Sequence, residues 1–247
     1  MQKPWANLCL GTTLLSGLVV ACACTLDGER VSVGELRTES KTVALGAAKS
    51  VRINIDMKAG ELKINPGAPQ LLDANFTYNV PEWQPEVRYA VQDTVGSLDI
   101  SQPRMGSASG NTRNEWDLRL GKVPTDMTVS VGAGRATLAL GGLALNSLEL
   151  NMGAGETTVD LTGSWKKDVV ARIQGGVGKA TVRLPSDVGV HVTARGGLGS
   201  INAGNLHKQG DVYVNEPYGK SPVTLRIEIQ GGVGEIDLET GGPPPVV

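Results

Sequence analysis

The sequence predicts an all-β fold, a β-solenoid whose rungs are strand, glycine bend and strand, with a less regular N-terminal cap region. Three observations predict it. A Gly-x-Gly motif recurs at near-constant spacing. Apolar residues alternate with polar ones on both sides of it, the period of a strand with one buried face. The chain holds 33 glycines and 13 prolines in 247 residues, twice the usual glycine content, without the Gly-X-Y triplet of collagen. Apolar residues make up 40%, enough to build a core and to argue against global disorder. A formal net charge of −2, a pI near 5.8 and an aromatic content of 4% remove both the electrostatic footprint and the stacking platforms of a nucleic-acid binder.

From the N-terminus, all three cysteines, Cys9, Cys22 and Cys24, fall within the first 24 residues. Behind Lys3, the run from Leu8 to Val20 carries no charge. As a helix it would span about 20 Å, short of the ~30 Å bilayer core, so it reads as a secretory signal. Val19-Val20-Ala21-Cys22 resembles the bacterial lipobox: a branched aliphatic, a permissive residue, a small residue, then the acylated cysteine. A plain secretory cleavage and an uncleaved anchor are the alternatives. Cys22 is the expected lipidation site, and the three acyl chains implied there exceed the two signals that stable anchoring requires. With no cysteine beyond Cys24, the body can hold neither a disulfide framework nor a Cys-based metal site. The expected organisation is a lipoprotein signal peptide at 1–21, a lipidated N-terminus and linker at 22–49, a cap region at 50–125, the repeat solenoid at 126–240 and a Pro-rich tail at 241–247.

Within the body, seven segments line up on a glycine: Gly60, Gly96, Gly134, Gly155, Gly178, Gly199 and Gly234. The central steps are 21, 23 and 21 residues, and the flanking ones are longer. Inward positions read Met127, Val129 and Val131 before the bend, then Ala136, Leu138 and Leu140 after it. The single residue between the glycines is Ala133, Ala154, Val177, Leu198 or Val233, and its apolar character predicts that it points inward. A unit of this size cannot bury its apolar face alone, whereas stacked copies share a continuous core. Stacking in chain order predicts outward columns Arg135–Glu156–Lys179–Ser200 and Thr137–Thr158–Thr181–Asn202. The insertion Asn205–Pro222 predicts an excursion before the last rung. Ser101–Asn114 reads as a mobile loop, and the three prolines of the tail cannot extend a ladder.

Candidate chemistry is sparse. Gln174-Gly-Gly-Val-Gly-Lys179-Ala-Thr181 resembles a deviant phosphate-binding loop. That loop needs a helix behind its lysine, and here an alternating strand follows. Gly132-Ala-Gly134 lacks the third glycine of a dinucleotide fingerprint. Gly106-Ser-Ala-Ser-Gly110 lies in a predicted loop, away from any strand-to-helix elbow. His191 falls on an outward strand position. Asp160, Asp168, Asp187 and Asp237 are scattered singly, whereas acid–base catalysis needs converging carboxylates. Phe76, Tyr78, Trp83, Tyr89 and Trp116 precede the regular rungs, as core fillers of a cap or as a patch facing a carbohydrate or protein. The expectation is no enzyme, no catalytic residues, no cofactor, no metal, no nucleotide and no nucleic acid.

Met57-Lys-Ala-Gly-Glu-Leu-Lys-Ile64, Asn75-Phe-Thr-Tyr-Asn79 with Trp83 and Pro85, Asn114-Glu-Trp116 with Leu118 and Leu120, and the downstream glycine repeats together resemble the toast-rack domain family of bacterial envelope proteins. The resemblance spans about residues 50–240. Related β-solenoids occur in candidate adhesins and in cell-wall-stress regulators. It implies an envelope setting and no established activity. The expected function is therefore an extracytoplasmic lipoprotein of the cell membrane or outer membrane, held by its lipid anchor and acting as an adhesin-like binding or structural protein with an unknown protein or glycan partner. An envelope-stress module that binds a membrane protein is the alternative. A glycan-active β-helix enzyme is the weaker one.

Overall fold

The computed structural model describes residues 30–103, 107–108 and 110–241. The expected signal peptide, Cys22, part of the Gly106–Gly110 loop and the tail beyond residue 241 lie outside the described residues. The chain is all-β. Its strands are β1 (Arg30–Val31), β2 (Arg37–Val43), β3 (Ser50–Pro66), β4 (Leu72–Tyr78), β5 (Glu86–Gln92), β6 (Val95–Ser101), β7 (Ser107–Ala108), β8 (Asn114–Leu120), β9 (Thr125–Ala139), β10 (Leu145–Asp160), β11 (Val169–Leu184), β12 (Gly189–Asn202), β13 (His207–Gln209), β14 (Val212–Val214) and β15 (Thr224–Thr240). Among the described residues, a single 3-10 turn covers Pro81–Trp83.

Six long strands form the stack. They run parallel in the spatial order β3, β9, β10, β11, β15, β12. In all but β12 the buried positions switch parity midway. In β9 Met127, Val129 and Val131 are buried, then Ala136 and Leu138. A flat strand keeps one parity per face, so the slip marks a corner with a leg on either side.

The corner is built from glycine for two reasons. Gly60, Gly134, Gly155, Gly178, Gly199 and Gly234 have φ between +127° and +146°, a region that side-chain-bearing residues rarely adopt. A Cβ on any of them would also lie 1.7 to 2.2 Å from a carbonyl oxygen of the adjacent strand. The stack closes at hydrogen-bonding distance only where that atom is missing.

Three expectations about the rungs are corrected. The last rung is not the last in space: β15 inserts between β11 and β12, so chain order fails there. The outward column becomes Glu61, Arg135, Glu156, Lys179, Glu235, Ser200. It alternates in sign through five residues, whereas chain order would have left Lys179 beside Ser200. In the last three rungs the residue between the corner glycines lies on the outside, at the corner where the buried parity slips. Val177 is 57% exposed, Val233 48% and Leu198 73%. Gly96 is not a corner. It sits in β6, paired with Val51, under the Tyr89 ring, whose hydroxyl oxygen would lie 2.6 Å from an added Cβ.

Salt bridges follow the column. Arg135 meets Glu156 at 3.1 Å and Glu61 at 3.5 Å, and Lys179 meets Glu235 at 3.2 Å. All are solvent-exposed, so each contributes a few tenths of a kcal/mol. Arg135→Glu would line up three carboxylates. It is expected to destabilise by about 1 kcal/mol at low salt, an effect that shrinks in molar salt as screening shortens the Debye length. Urea melts of both proteins at two ionic strengths check this; a salt-independent difference would rule out the ladder as its cause.

Below β3 the next rung is split. β6 pairs with its first leg and β8 with its second, and the chain leaves the stack between them. At that corner two side chains stand in for missing backbone. Gln102 Oε1 accepts hydrogen bonds from the Lys58 and Ala59 amides at 3.0 and 3.4 Å, and Asn114 Nδ2 donates to the Ala59 carbonyl at 2.7 Å. Asn114 Nδ2 also donates to Gln102 Oε1 at 3.0 Å, and Trp116 Nε1 donates to Asn114 Oδ1 at 2.9 Å. Gln102 and Asn114 are both buried.

The stack encloses one continuous core from Ala48 to Leu238. Leu143, Trp165 and Val188, in the connections between rungs, belong to the same core. Beyond β8, which runs parallel to β3, strand β4 pairs antiparallel with β8 and β2 antiparallel with β4, extending the second-leg sheet at the N-terminal end; β5 joins β6 antiparallel. Phe76, Tyr78 and Trp116 are buried there, with Phe76 and Trp116 edge to face at 5.5 Å. These aromatics are core fillers. The Asn205–Pro222 excursion forms the β13–β14 hairpin, which pairs with β12 over His191–Thr193. Within the predicted loop, Ser107–Ala108 pair with Arg30–Val31.

Candidate functional site

The corner line is the surface that sequence and packing make unusual. Along the stack the residue just before the first corner glycine, whose place Lys58 takes in β3, reads Met57, Val131, Met152, then Gly175, Gly231 and Gly196. The residue between the glycines reads Ala59, Ala133, Ala154, then Val177, Val233 and Leu198. In the last three rungs an inward apolar side chain has been lost and an outward one gained. Val177, Val233 and Leu198 occupy adjacent strands and form an exposed apolar crest, where the earlier rungs carry alanines.

Beneath the crest lies a cavity of about 40 Å³, lined among others by Met152, Thr157, Ile173, Ile229 and Ile236. The Thr157 hydroxyl is buried there without a hydrogen-bond partner. That volume suits a water molecule and excludes a sugar or nucleotide. Shallow grooves flank the corner. One runs over Gly155, Gly178, Gly199 and Gly234 between Glu156, Lys179 and Glu235. The other runs over Gly132, Gly153 and Gly176 beside Asn151 and Gln174. The arrangement is an apolar ridge between glycine-floored grooves, a relief on which another surface can approach the backbone closely. Contiguous apolar exposure rimmed by polar groups marks interaction surfaces.

Other sequence candidates are separated. Lys179 lies in mid-strand, where hydrogen bonds to Asp237 (2.6 Å) and Glu235 hold its ammonium above the usual lysine range; β11 continues through it as strand. Asp168 accepts from the Thr224 amide and from Arg226, which hold its carboxyl below the usual range in that order of importance. Asp160 accepts from the amide and hydroxyl of Thr162 in the turn after β10. Asp187 is exposed. His191 is half-buried, with its ring 5.4 Å from that of Tyr218. Among the described residues no group of three or more His, Cys, Asp or Glu is placed to hold a metal ion. The expected lipidation site, Cys22, lies outside the described residues. Reasoning from sequence missed the crest, although its signal was present: Met-Gly-Ala-Gly gives way to Gly-Gly-Val-Gly, the inner and outer apolar volumes trading places.

The chain matches the family model for the N-terminal domain of toast_rack over residues 32–183. It also matches the model for the C-terminal domain of LiaF, described as a cell wall-active antibiotics response protein, over residues 134–238. Among solved structures, a candidate cell adhesion protein from Clostridium sporogenes is 34% identical, with a TM-score of 0.79, covering 84% of this chain and 100% of that one. A candidate adhesin from Bacteroides fragilis is 11% identical, with a TM-score of 0.37, over 84% of this chain and 99% of that one. No curated protein matches the chain.

Proposed function

Given that the chain belongs to the toast-rack family, as the match over residues 32–183 establishes, we propose that it is a membrane-anchored protein of the bacterial cell envelope with a non-catalytic binding role. The observation that carries this reading is the crest of Val177, Val233 and Leu198, apolar side chains held in solvent above a cavity too small for a substrate. The description of the 34%-identical Clostridium sporogenes protein supports the adhesin-like form of the reading. Asp160 and Asp168 are engaged in separate local contacts, which weighs against the glycan-active enzyme.

The match to the LiaF C-terminal model over residues 134–238 favours a second reading, an envelope-stress module that docks on a membrane protein through the same crest. A photo-crosslinking residue at position 177 or 233, irradiated on intact membranes, is expected to yield a discrete adduct that a probe at Val91, in the exposed β5 region, does not. A protein adduct favours the stress module and a glycan adduct the adhesin. The same adduct from all three positions would reject the crest. Anchoring is tested separately: wild type is expected to take up labelled palmitate and Cys22→Ala to lose that label, whereas equal uptake would remove the lipid anchor.

A further inference from the structure

The stack ends differently at its two ends. At the N-terminal end both legs of β3 are covered, by β6 and β8. At the other end the hairpin pairs with β12 only over His191–Thr193, and the rest of β12 pairs on one side alone, with β15. Among the described residues, Gly196–Asn202 therefore presents an open row of backbone donors and acceptors around a corner. Exposed strand edges usually carry charges that forbid pairing. The other terminal strands of the large sheet carry them: β2 has Arg37, Glu39 and Lys41, β5 has Glu86 and Arg88, and β13 has Lys208. Gly196-Gly-Leu-Gly-Ser-Ile-Asn202 carries none.

We infer that this edge pairs with its own copy, giving an end-to-end dimer in which two β12 strands run antiparallel about a two-fold axis near Gly199. The charge pattern selects this occupant. Across a two-fold axis through Gly199, Ser200 lies opposite the partner's Leu198 and diagonal to the partner's Ser200, so a charge at position 200 would lie near its like. The outward column, charged at Glu61, Arg135, Glu156, Lys179 and Glu235, becomes neutral at Ser200, on the strand that would lie at the axis. An axis near Gly199 also sets each Arg195 opposite the partner's Ala203, so the two arginines sit at opposite ends of the paired segment. An L-shaped strand is mapped onto its own shape by a two-fold through its corner, so leg one faces leg two of the partner. Dimerisation would also join the two crests into one apolar ridge twice as long. The inference does not depend on the nature of the crest's ligand.

Sedimentation velocity on the full chain in detergent tests it with Ser200→Lys, Ser200→Glu and their mixture. Wild type is expected to sediment as a dimer. Each single variant is expected to dissociate with a dimer affinity about tenfold or more weaker, and an equimolar mixture to recover the dimer through opposite charges. Ser200→Lys lies beside Glu235 of its own chain, so it extends the alternating column and keeps its fold, which thermal melting verifies. A monomeric wild type, variants that stay dimeric, or a mixture that fails to reassociate would each overturn the inference.

Discussion

Replacing Gly178 with alanine is expected to destabilise the protein by about 3–5 kcal/mol, on the order of 10 °C in melting temperature. Two costs combine. Residue 178 has φ +138°, and the new Cβ would lie 1.8 Å from the Gly155 carbonyl oxygen. That oxygen is backbone in the neighbouring rung and cannot rotate away, so the rungs must separate and their ladder bonds lengthen. Gly175→Ala, three residues earlier in the same strand, provides the contrast. Its added Cβ meets nothing within 4 Å and its φ is not positive. There alanine is expected to be neutral or stabilising by about 0.5–1 kcal/mol, because it restricts the unfolded chain. Thermal melts of the two variants decide the matter: similar behaviour would mean that the glycine corner does not hold the stack in register.

Asn114→Ala is the second large effect, about 3 kcal/mol or more, through loss of the split rung. It removes the donor to the Ala59 carbonyl and to Gln102 Oε1, and it strips the buried Trp116 indole N–H of its acceptor. Each buried polar group left without a partner costs roughly 1–3 kcal/mol. Asn114→Asp keeps the acceptor for Trp116 but loses the amide donor and buries a carboxylate, so it is expected to rescue little. Hydrogen exchange localises the damage: the Lys58 and Ala59 amides should lose protection while those of β10 and β11 keep theirs. Uniform loss of protection would show that Asn114 acts through global packing instead.

How far the fold was readable depends on the range of the interaction. The period-two runs around Gly134, Gly155 and Gly178 announce strands, and the equal steps announce stacked rungs, because alternation and bending are local properties of the chain. Gly96 misled because Thr94-Val-Gly-Ser-Leu-Asp-Ile100 has the same local texture as a corner. Its glycine serves a tertiary purpose, making room for Tyr89. The candidate site was half readable: the apolar residue between the glycines was evident, its direction was not. Alternation extended from the first leg points the residue between the glycines inward, whereas the parity slip at the corner leaves Val177, Leu198 and Val233 exposed.

The all-β class, the glycine corners and the Arg135–Glu156 neighbourhood were determined by the sequence alone, since each rests on contacts that repeat with a short period. The insertion of β15 between β11 and β12, the Gln102 and Asn114 side chains that complete a missing rung, and the open edge at Gly196–Asn202 were decided only in three dimensions. Strand order among near-identical rungs is the sum of many small cross-strand preferences. The alternating column Glu61, Arg135, Glu156, Lys179, Glu235 exists only once a strand from the far end of the chain has taken its place inside the stack.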